Sequence, residues 1–190
     1  MKVIAGNWKM YKTRREAAAL VEALVDGAGA LPGAVRLRVY PPFPSLASAA
    51  EAARGRIEVG AQNLHPEASG AFTGEVSARM ILEAGAGHVL VGHSERRHVF
   101  GEDAEFLARK VRAGLAAGLS VLYCVGELLE EREGGRTQDV LAAQLDALGT
   151  FGEGSSRVSK SRMNRFGPSG PGGSRRCHRS SRPMPSSGVT

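Results

Sequence analysis

The chain has 190 residues, of which 42% are hydrophobic, and this is enough for one domain with a sizeable core. Its formal net charge of +6 would ordinarily indicate an anionic partner such as nucleic acid. Eight of the cations lie in residues 154–190, which contain no acid, so residues 1–153 carry a net charge of −2. The body of the chain is therefore mildly acidic, and we expect no nucleic-acid partner.

The cysteines and the hydropathy pattern exclude other classes of protein. Cys124 and Cys177 lie far apart and match no metal-ligand spacing, so no metal site is expected. Cys124 follows apolar residues and is interpreted as a buried thiol in a reducing compartment. The chain has neither the ~18 consecutive apolar residues of a membrane span nor a long apolar stretch at its N-terminus. We expect a cytoplasmic protein without a membrane partner.

Short apolar runs rich in β-branched residues alternate with stretches of helix-forming residues up to about residue 153. The apolar runs predict strands at Val3–Gly6, Val35–Tyr40, Ile57–Gly60, His88–Val91 and Ser120–Val125. The other stretches predict helices at Arg14–Asp26, Ser45–Arg54, Val76–Glu83, Ala104–Ala117 and Thr137–Leu148. Five successive βα units imply an α/β fold with a parallel sheet and right-handed crossovers.

Two α/β architectures fit this order, an open doubly wound sheet and a (β/α)8 barrel. The first strand ends in Gly6-Asn7-Trp8-Lys9, which is not the glycine-rich fingerprint of an open dinucleotide-binding sheet. Polar residues instead recur at the C-terminal ends of several strands, where barrels keep their catalytic residues. They are Asn7, Lys9, Gln62, Asn63, His93, Glu95 and Glu127. We expect a TIM barrel truncated after about five βα units, because a complete barrel needs ~250 residues.

Two of these strand ends carry residues suited to catalysis, although each alone is more commonly an ordinary surface feature. The ammonium group of Lys9 suits a phosphate or a developing oxyanion, and Asn7 could hold it or donate to a substrate. His93 precedes Ser94 and Glu95, which favour a helix start, and the positive end of a helix disfavours imidazolium. A neutral imidazole can donate a hydrogen bond to a carbonyl and relay protons, and Glu95 could pair with Lys9.

The connection from Gln62 to Val76 is long and contains Gly70, Thr73 and Gly74. Connections of this length are usually functional or interfacial, although a mobile surface loop remains the alternative.

From Gly154 onward the regular pattern ends. Serine, glycine and proline make up 20 of these 37 residues, and the only aromatic residue is Phe166. Such a segment cannot bury enough surface to offset the entropy lost on ordering, so we expect residues 154–190 to be disordered. The segment also lacks the aromatic platform on which proteins stack single-stranded nucleic acid. Nucleic-acid binding by this basic tail is therefore the weaker alternative.

Five segments together resemble the triosephosphate isomerase family, in that family's order, over residues 1 to about 153. The resemblance implies an isomerase of glycolysis and gluconeogenesis that interconverts dihydroxyacetone phosphate and D-glyceraldehyde 3-phosphate through an enediolate, without metal or cofactor. Another phosphate-handling barrel enzyme would fit the fold but not these segments. They are Gly6-Asn7-Trp8-Lys9-Met10, Gly60-Ala61-Gln62-Asn63, Gly70-Ala71-Phe72-Thr73-Gly74-Glu75, Val91-Gly92-His93-Ser94-Glu95-Arg96-Arg97 and Tyr123-Cys124-Val125-Gly126-Glu127.

The resemblance also implies roles for individual residues. Asn7 and Lys9 would bind the substrate, with Lys9 stabilising negative charge. His93 would be the neutral electrophile that moves protons between the two substrate oxygens. Glu95 would support the catalytic site through Lys9. The family forms homodimers, in which the loop around Thr73 would reach the active site of the partner subunit.

One catalytic residue of the family is missing from the reading frame. Its proton-abstracting glutamate lies after the sixth strand, in a segment that reads Ala-Tyr-Glu-Pro-Val-Trp-Ala-Ile-Gly-Thr-Gly. Read one base out of frame, the codons for Ser161 to Gly172 can encode this segment. One step is forced, because Met163 is ATG and the codon of Asn164 begins with AA, so the frame starting at the last base of Met163 reads GAA, glutamate.

We therefore hypothesise that one base was lost, or two were gained, around the codons for Glu153 to Val158. Residues 1–153 would then be five βα units of the barrel, and residues 154–190 an out-of-frame basic tail. The alternative to an isomerase is a catalytically dead frameshifted remnant that lacks the base glutamate and the last three strands.

Overall fold

A computed structural model describes residues 2–29, 33, 35–149 and 158–162. Six strands within them are all parallel and pair in chain order. The strands are β1 (Lys2–Asn7), β2 (Val35–Tyr40), β3 (Glu58–Ala61), β4 (His88–Val91), β5 (Ser120–Val125) and β6 (Val158–Arg162). The helices are α1 (Arg14–Ala28), α2 (Leu46–Ala53), α3 (Ala78–Glu83), α4 (Ser94–His98), α5 (Ala104–Ala116), α6 (Leu129–Glu133) and α7 (Thr137–Asp146).

The strand order decides between the two architectures. An open doubly wound sheet reverses its strand order at a switch point, whereas the strands of a barrel follow one another around it. The described strands follow one another without reversal from β1 to β6. The five strands predicted from sequence are all present, with ends that differ by no more than one residue.

Two helices, α4 and α6, were not predicted as separate elements. Each has only five residues, which is too short for a helical period to show in the sequence. The start of α4 was nevertheless signalled by Ser94 and Glu95. Both helices follow the C-terminal end of a strand, so they shape the same edge of the sheet as the candidate residues.

Strand β6 lies inside the segment that we expected to be disordered, and for its five residues that expectation is wrong. It pairs with β5 from Val121↔Val158 to Val125↔Arg162. The physical reason is that a strand edge offers backbone N–H and C=O groups to any extended segment, whatever the side chains. The rest of the expected tail, including Cys177, lies outside the described residues.

Local sequence signals fix the two long helices that cover the sheet. Helix α1 begins after Thr13, whose backbone N–H donates to Glu16 Oε2 at 2.8 Å. Helix α5 begins after Asp103, whose Oδ1 accepts from the backbone N–H of Phe106 at 2.7 Å. Each helix buries an apolar stripe, and within the described residues no helix is long and apolar enough to cross a membrane.

Successive side chains of a strand point to opposite faces of the sheet, and the apolar ones form two clusters, one on each face. The larger lies under the helices and joins sheet residues such as Val39, Val89 and Val121 to helix residues such as Val21 and Leu107. The smaller lies on the opposite, inward face and consists of Tyr40, Leu90 and Cys124, with Leu122 packed against it. The helices therefore cover one face, as the outer ring of a barrel does.

A cluster of charged side chains that the sequence did not reveal joins strands β2, β3 and β4. Glu58 accepts from Arg36 Nη1 at 2.9 Å and from Arg38 Nε at 2.7 Å, and His88 Nε2 lies 3.6 Å from it. Burial opposes ionisation of Glu58, but the two arginines outweigh this effect and its pKa is lowered. Burial lowers the pKa of His88, so the group holds Glu58 ionised beside a neutral imidazole.

Gly60 provides the space that this side of the sheet needs, and Gly60→Ala should destabilise the fold. A Cβ at Gly60 would lie 2.8 Å from Tyr40 Cδ1 and 2.9 Å from His88 Cβ. Tyr40 is fully buried, so its ring has little room to move, and overpacking of this kind costs about 1–3 kcal/mol. Urea unfolding measures the change in the free energy of unfolding.

Gly87→Ala is the matched control, because a Cβ there meets nothing within 4 Å and the residue has no positive φ. It should leave the free energy of unfolding nearly unchanged. Equal stability of the Gly60 and Gly87 variants would contradict the close packing of Tyr40 and His88 around Gly60.

Candidate active site

The residues singled out from the sequence meet at the C-terminal ends of the strands. Asn7 ends β1, and the residues after β3 and β4 reach the same edge of the sheet. A cavity of about 690 Å³ opens there. Its polar lining includes Asn7, Lys9, Gln62, Asn63, His93 and Glu95, with Gly74 and Glu75 of the long loop at its border. Three separate connections of the chain thus contribute to one cavity.

Lys9 and Glu95 form an ion pair across this cavity. Lys9 Nζ lies 2.7 Å from Glu95 Oε1, and the two side chains are 42% and 39% exposed. A pair this exposed adds little to stability, about 0–1 kcal/mol. Its more important effect is geometric, because it holds the ammonium group of Lys9 over the C-terminal ends of the strands.

The backbone of Lys9 is held in an unusual conformation. Its φ is 53°, in the left-handed region that non-glycine residues rarely occupy. The side chain of Asn7 accepts from the backbone N–H of Lys9 at 2.9 Å. The side-chain amide of Gln62 donates to the backbone carbonyl of Lys9 at 2.8 Å. The backbone N–H and C=O of Lys9, on either side of its strained φ, are therefore both satisfied by side chains.

His93 is the N-cap residue of α4, and its side chain is buried. Its Nδ1 accepts from the backbone N–H of Glu95 at 3.3 Å. Glu95 Oε2 also lies 3.4 Å from Nδ1, a position that would suit an imidazolium. The backbone contact decides the tautomer, because a proton on Nδ1 would point at the N–H of Glu95. The ring proton is therefore assigned to Nε2.

Asn63 belongs to a buried charged group beside the cavity. Its Oδ1 accepts from Lys110 Nζ at 2.8 Å, and Lys110 also binds Glu102 at 2.5 Å. Arg96, next to Glu95 on α4, donates to the same carboxylate through Nε at 2.7 Å. Burial lowers the pKa of Lys110, although the contact with Glu102 opposes this. The sequence identified Asn63 but gave no sign of Lys110, which reads as an ordinary helix lysine.

Arg97 fixes the connection that carries His93, and the sequence did not assign it this part. Its Nε donates to the carbonyl of Gly92 at 2.8 Å, and its Nη2 donates to the carbonyl of Cys124 at 3.0 Å. The guanidinium group thereby ties the end of β4 to the end of β5. Cys124 is buried as expected, and burial raises the pKa of its thiol to about 11, so it is no nucleophile at neutral pH.

Two further residues singled out from the sequence lie away from the cavity. Thr73 is exposed on the long loop, which is closed by a hydrogen bond from the N–H of His65 to the carbonyl of Val76 at 2.8 Å. Glu127 follows β5, and its side chain is buried and pairs with Arg132 Nε at 2.9 Å. Neither residue lines the cavity.

Comparison with known proteins gives one consistent family. The family model of triosephosphate isomerase matches residues 2–157. The triosephosphate isomerase of Nitratidesulfovibrio vulgaris is 50% identical over 147 residues, which are 76% of this chain and 59% of that protein. The triosephosphate isomerase of Syntrophotalea carbinolica is 52% identical over 145 residues, which are 75% of this chain and 56% of that protein.

A solved structure agrees with these sequence matches. The crystal structure of triosephosphate isomerase from Bartonella henselae superposes with a TM-score of 0.77 at 38% identity, over 84% of this chain and 66% of that one. The expected architecture, a TIM barrel represented by about five βα units, is thereby confirmed. The chain spans less than two thirds of the length of these relatives.

Proposed function

The chain belongs to the triosephosphate isomerase family, and we propose that its site is built to interconvert dihydroxyacetone phosphate and D-glyceraldehyde 3-phosphate. The observation that carries the proposal is the pairing of Lys9 with Glu95 at 2.7 Å beside the buried His93 in one cavity. This arrangement offers a positive charge and a neutral hydrogen-bond donor to the same small ligand. The reaction belongs to glycolysis and gluconeogenesis.

Lys9 and Asn7 are the proposed substrate-binding residues. The ammonium group of Lys9 would lie against the negative charge that develops on the substrate oxygens in the enediolate. Asn7 holds the backbone of Lys9 in its left-handed conformation, and so sets where that charge lies. Glu95 keeps the ammonium group over the cavity and acts on the reaction only through Lys9.

His93 is the proposed electrophile. The Nδ1 of His93 accepts from the backbone N–H of Glu95, which leaves the ring proton on Nε2, and this is the atom that would donate to a substrate carbonyl. The same nitrogen would pass a proton between the two neighbouring oxygens while a separate base moves the proton between the two carbons. The chemistry proposed for the described residues therefore needs a further residue that acts as a general base and takes a carbon-bound proton.

We infer that this base is the glutamate encoded one base out of frame at the codons of Met163 and Asn164. Strand β6 supports the inference, because it ends at Arg162, paired with Val125 at the end of β5. A glutamate read next would follow the C-terminal end of a strand, as Asn7 follows β1 and His93 follows β4. On this proposal, residues 154–190 are an out-of-frame tail to the five βα units of residues 1–153.

We further propose that the restored protein is a cytoplasmic homodimer. Large apolar side chains stand exposed around the cavity, including Met10 at 93% and Tyr11 and Val99 at 72%. Side chains of this kind, clustered at one end of a molecule, mark an interface. The exposed loop that carries Thr73 borders the same cavity through Gly74 and Glu75, and it would enter the corresponding cavity of the partner.

Binding of dihydroxyacetone phosphate to the chain tests the proposed function without requiring turnover. In nuclear magnetic resonance titrations, the ligand should shift the backbone amides of Lys9 and of Glu95, which lie at the cavity. Dihydroxyacetone, which lacks the phosphate, is the matched control and should shift them far less. Shifts confined to the arginine-rich segment 154–190 would contradict the proposal, because they would indicate nonspecific attraction of an anion to a basic tail.

A further inference from the structure

Gln62 stands out because its side-chain amide contacts two different strand ends. Its Nε2 lies 2.8 Å from the carbonyl of Lys9 and 2.8 Å from the carbonyl of Tyr40, the last residue of β2. A side-chain amide has two N–H donors, so one Gln62 uses its whole donor capacity on these two backbone oxygens. Gln62 itself follows β3, so it ties the ends of three neighbouring strands together.

The contact with Lys9 falls where the backbone is strained. A non-glycine residue in the left-handed region is strained and persists only where its surroundings hold it. Asn7 holds the N–H of Lys9 and Gln62 holds its carbonyl. The N–H of Tyr11 also donates to the carbonyl of Trp8 at 3.2 Å and closes the turn around Lys9, but of these three contacts only that of Gln62 holds the Lys9 carbonyl.

We propose that Gln62 is a positioning residue that keeps Lys9 in its left-handed conformation and so directs the ammonium group into the cavity. It does not itself meet the reacting atoms. The consequence for catalysis rests on the proposed function, but the effect on the backbone of Lys9 does not. The two can therefore fail separately.

Gln62→Met tests the proposal, because methionine has a similar volume and no N–H donor. Nuclear magnetic resonance of the chain follows the Cα and Cβ shifts of Lys9 and the hydrogen exchange of its amide. We expect the shifts to move away from left-handed values. Exchange should become about fivefold faster or more, the factor that corresponds to the loss of one ordinary hydrogen bond. Unchanged shifts and exchange at Lys9 would overturn the proposal.

Gln144→Met is the matched control. The side-chain amide of Gln144 also binds a residue that follows a strand. It donates to the carbonyl of Gly126, after β5, at 2.9 Å and accepts from the N–H of Gly126 at 3.0 Å. Its loss should leave Lys9 unchanged, whereas an equal change at Lys9 in both variants would show only general loosening and overturn the proposal. If Gln62→Met does not fold, Gln62→Leu removes both donors with a small loss of volume, and the same two outcomes apply.

Measuring isomerase activity alongside the Lys9 chemical shifts tests the proposed function separately from the positioning role of Gln62. Loss of the left-handed shifts in the Gln62 variant, together with failure of the frame-restored protein to isomerise triose phosphates, would leave the positioning role intact and refute the function. Conversely, an active frame-restored protein in which Gln62→Met changes neither Lys9 nor kcat would refute the positioning role alone.

Discussion

Restoring the reading frame by one base within the codons for Glu153 to Val158 is expected to convert a product without detectable triose phosphate isomerisation into an active isomerase. The restored frame reads Ala-Tyr-Glu-Pro-Val-Trp, of which Ala and Tyr fall at the last codons of strand β6 and the glutamate follows the strand. It places a glutamate at the same edge of the sheet as Lys9 and His93. A positioned general base contributes about 10²–10⁴ to the rate, so the gain should be at least this large. A coupled spectrophotometric assay of D-glyceraldehyde 3-phosphate formation measures it.

Two controls separate the contribution of the glutamate from other effects of the nucleotide insertion. Inserting three bases at the same place keeps the present frame and should give no activity. Changing the restored GAA codon to CAA replaces the glutamate by glutamine and should lower kcat by about 10²–10⁴ without loss of the fold. Full activity in the glutamine variant would show that another residue takes the carbon-bound proton.

Lys9→Met should lower kcat/KM of the frame-restored protein by about 10²–10³, the usual cost of removing one charge-stabilising group from an active site. The ammonium group of Lys9 is held over the cavity by Glu95, and methionine keeps its bulk but not its charge. The fold should be unaffected, because an ion pair this exposed contributes only about 0–1 kcal/mol. Steady-state kinetics and urea unfolding of the same preparation separate the two effects.

Lys12→Met is the matched control for Lys9→Met. Lys12 lies in the same connection, is exposed, and also has a positive φ, of 79° against 53° for Lys9. Its side chain does not line the cavity. Its replacement should leave kcat/KM within a few-fold of the unchanged protein. Equal losses of kcat/KM in both variants would mean that any change in this connection lowers activity, and that the charge on Lys9 has no specific role in the reaction.

The sequence was sufficient for the order of the five βα units and for the residues at the strand ends. Periodicity distinguishes buried strands from helices, and the five predicted strands are present because each is a short apolar run. Asn7, Lys9, His93 and Glu95 could be placed together because parallel strands bring their C-terminal ends to one edge. The contact of Lys9 with Glu95 also followed from their charges and their positions.

Other features depend on contacts between residues far apart in the chain, which a single sequence does not encode as a pattern. Lys110 reads as an exposed helix lysine, and only the fold brings it to Glu102 and Asn63. The two carbonyls bound by Gln62 belong to residues that lie 22 and 53 positions away in the chain. Strand β6 was missed for a different reason, because its pairing uses the backbone and leaves no apolar period in the side chains.

The central claim is that the proposed catalytic glutamate is encoded one base out of frame, and the nucleotide sequence of the gene across the codons for Gly149 to Thr190 tests it most directly. The shifted segment requires TTT at Phe166 and a codon ending in T at Arg162, since only these give the tryptophan and the tyrosine. We expect both codons, followed by an open shifted frame. A TTC codon at Phe166 would read as arginine in the shifted frame and would contradict the account.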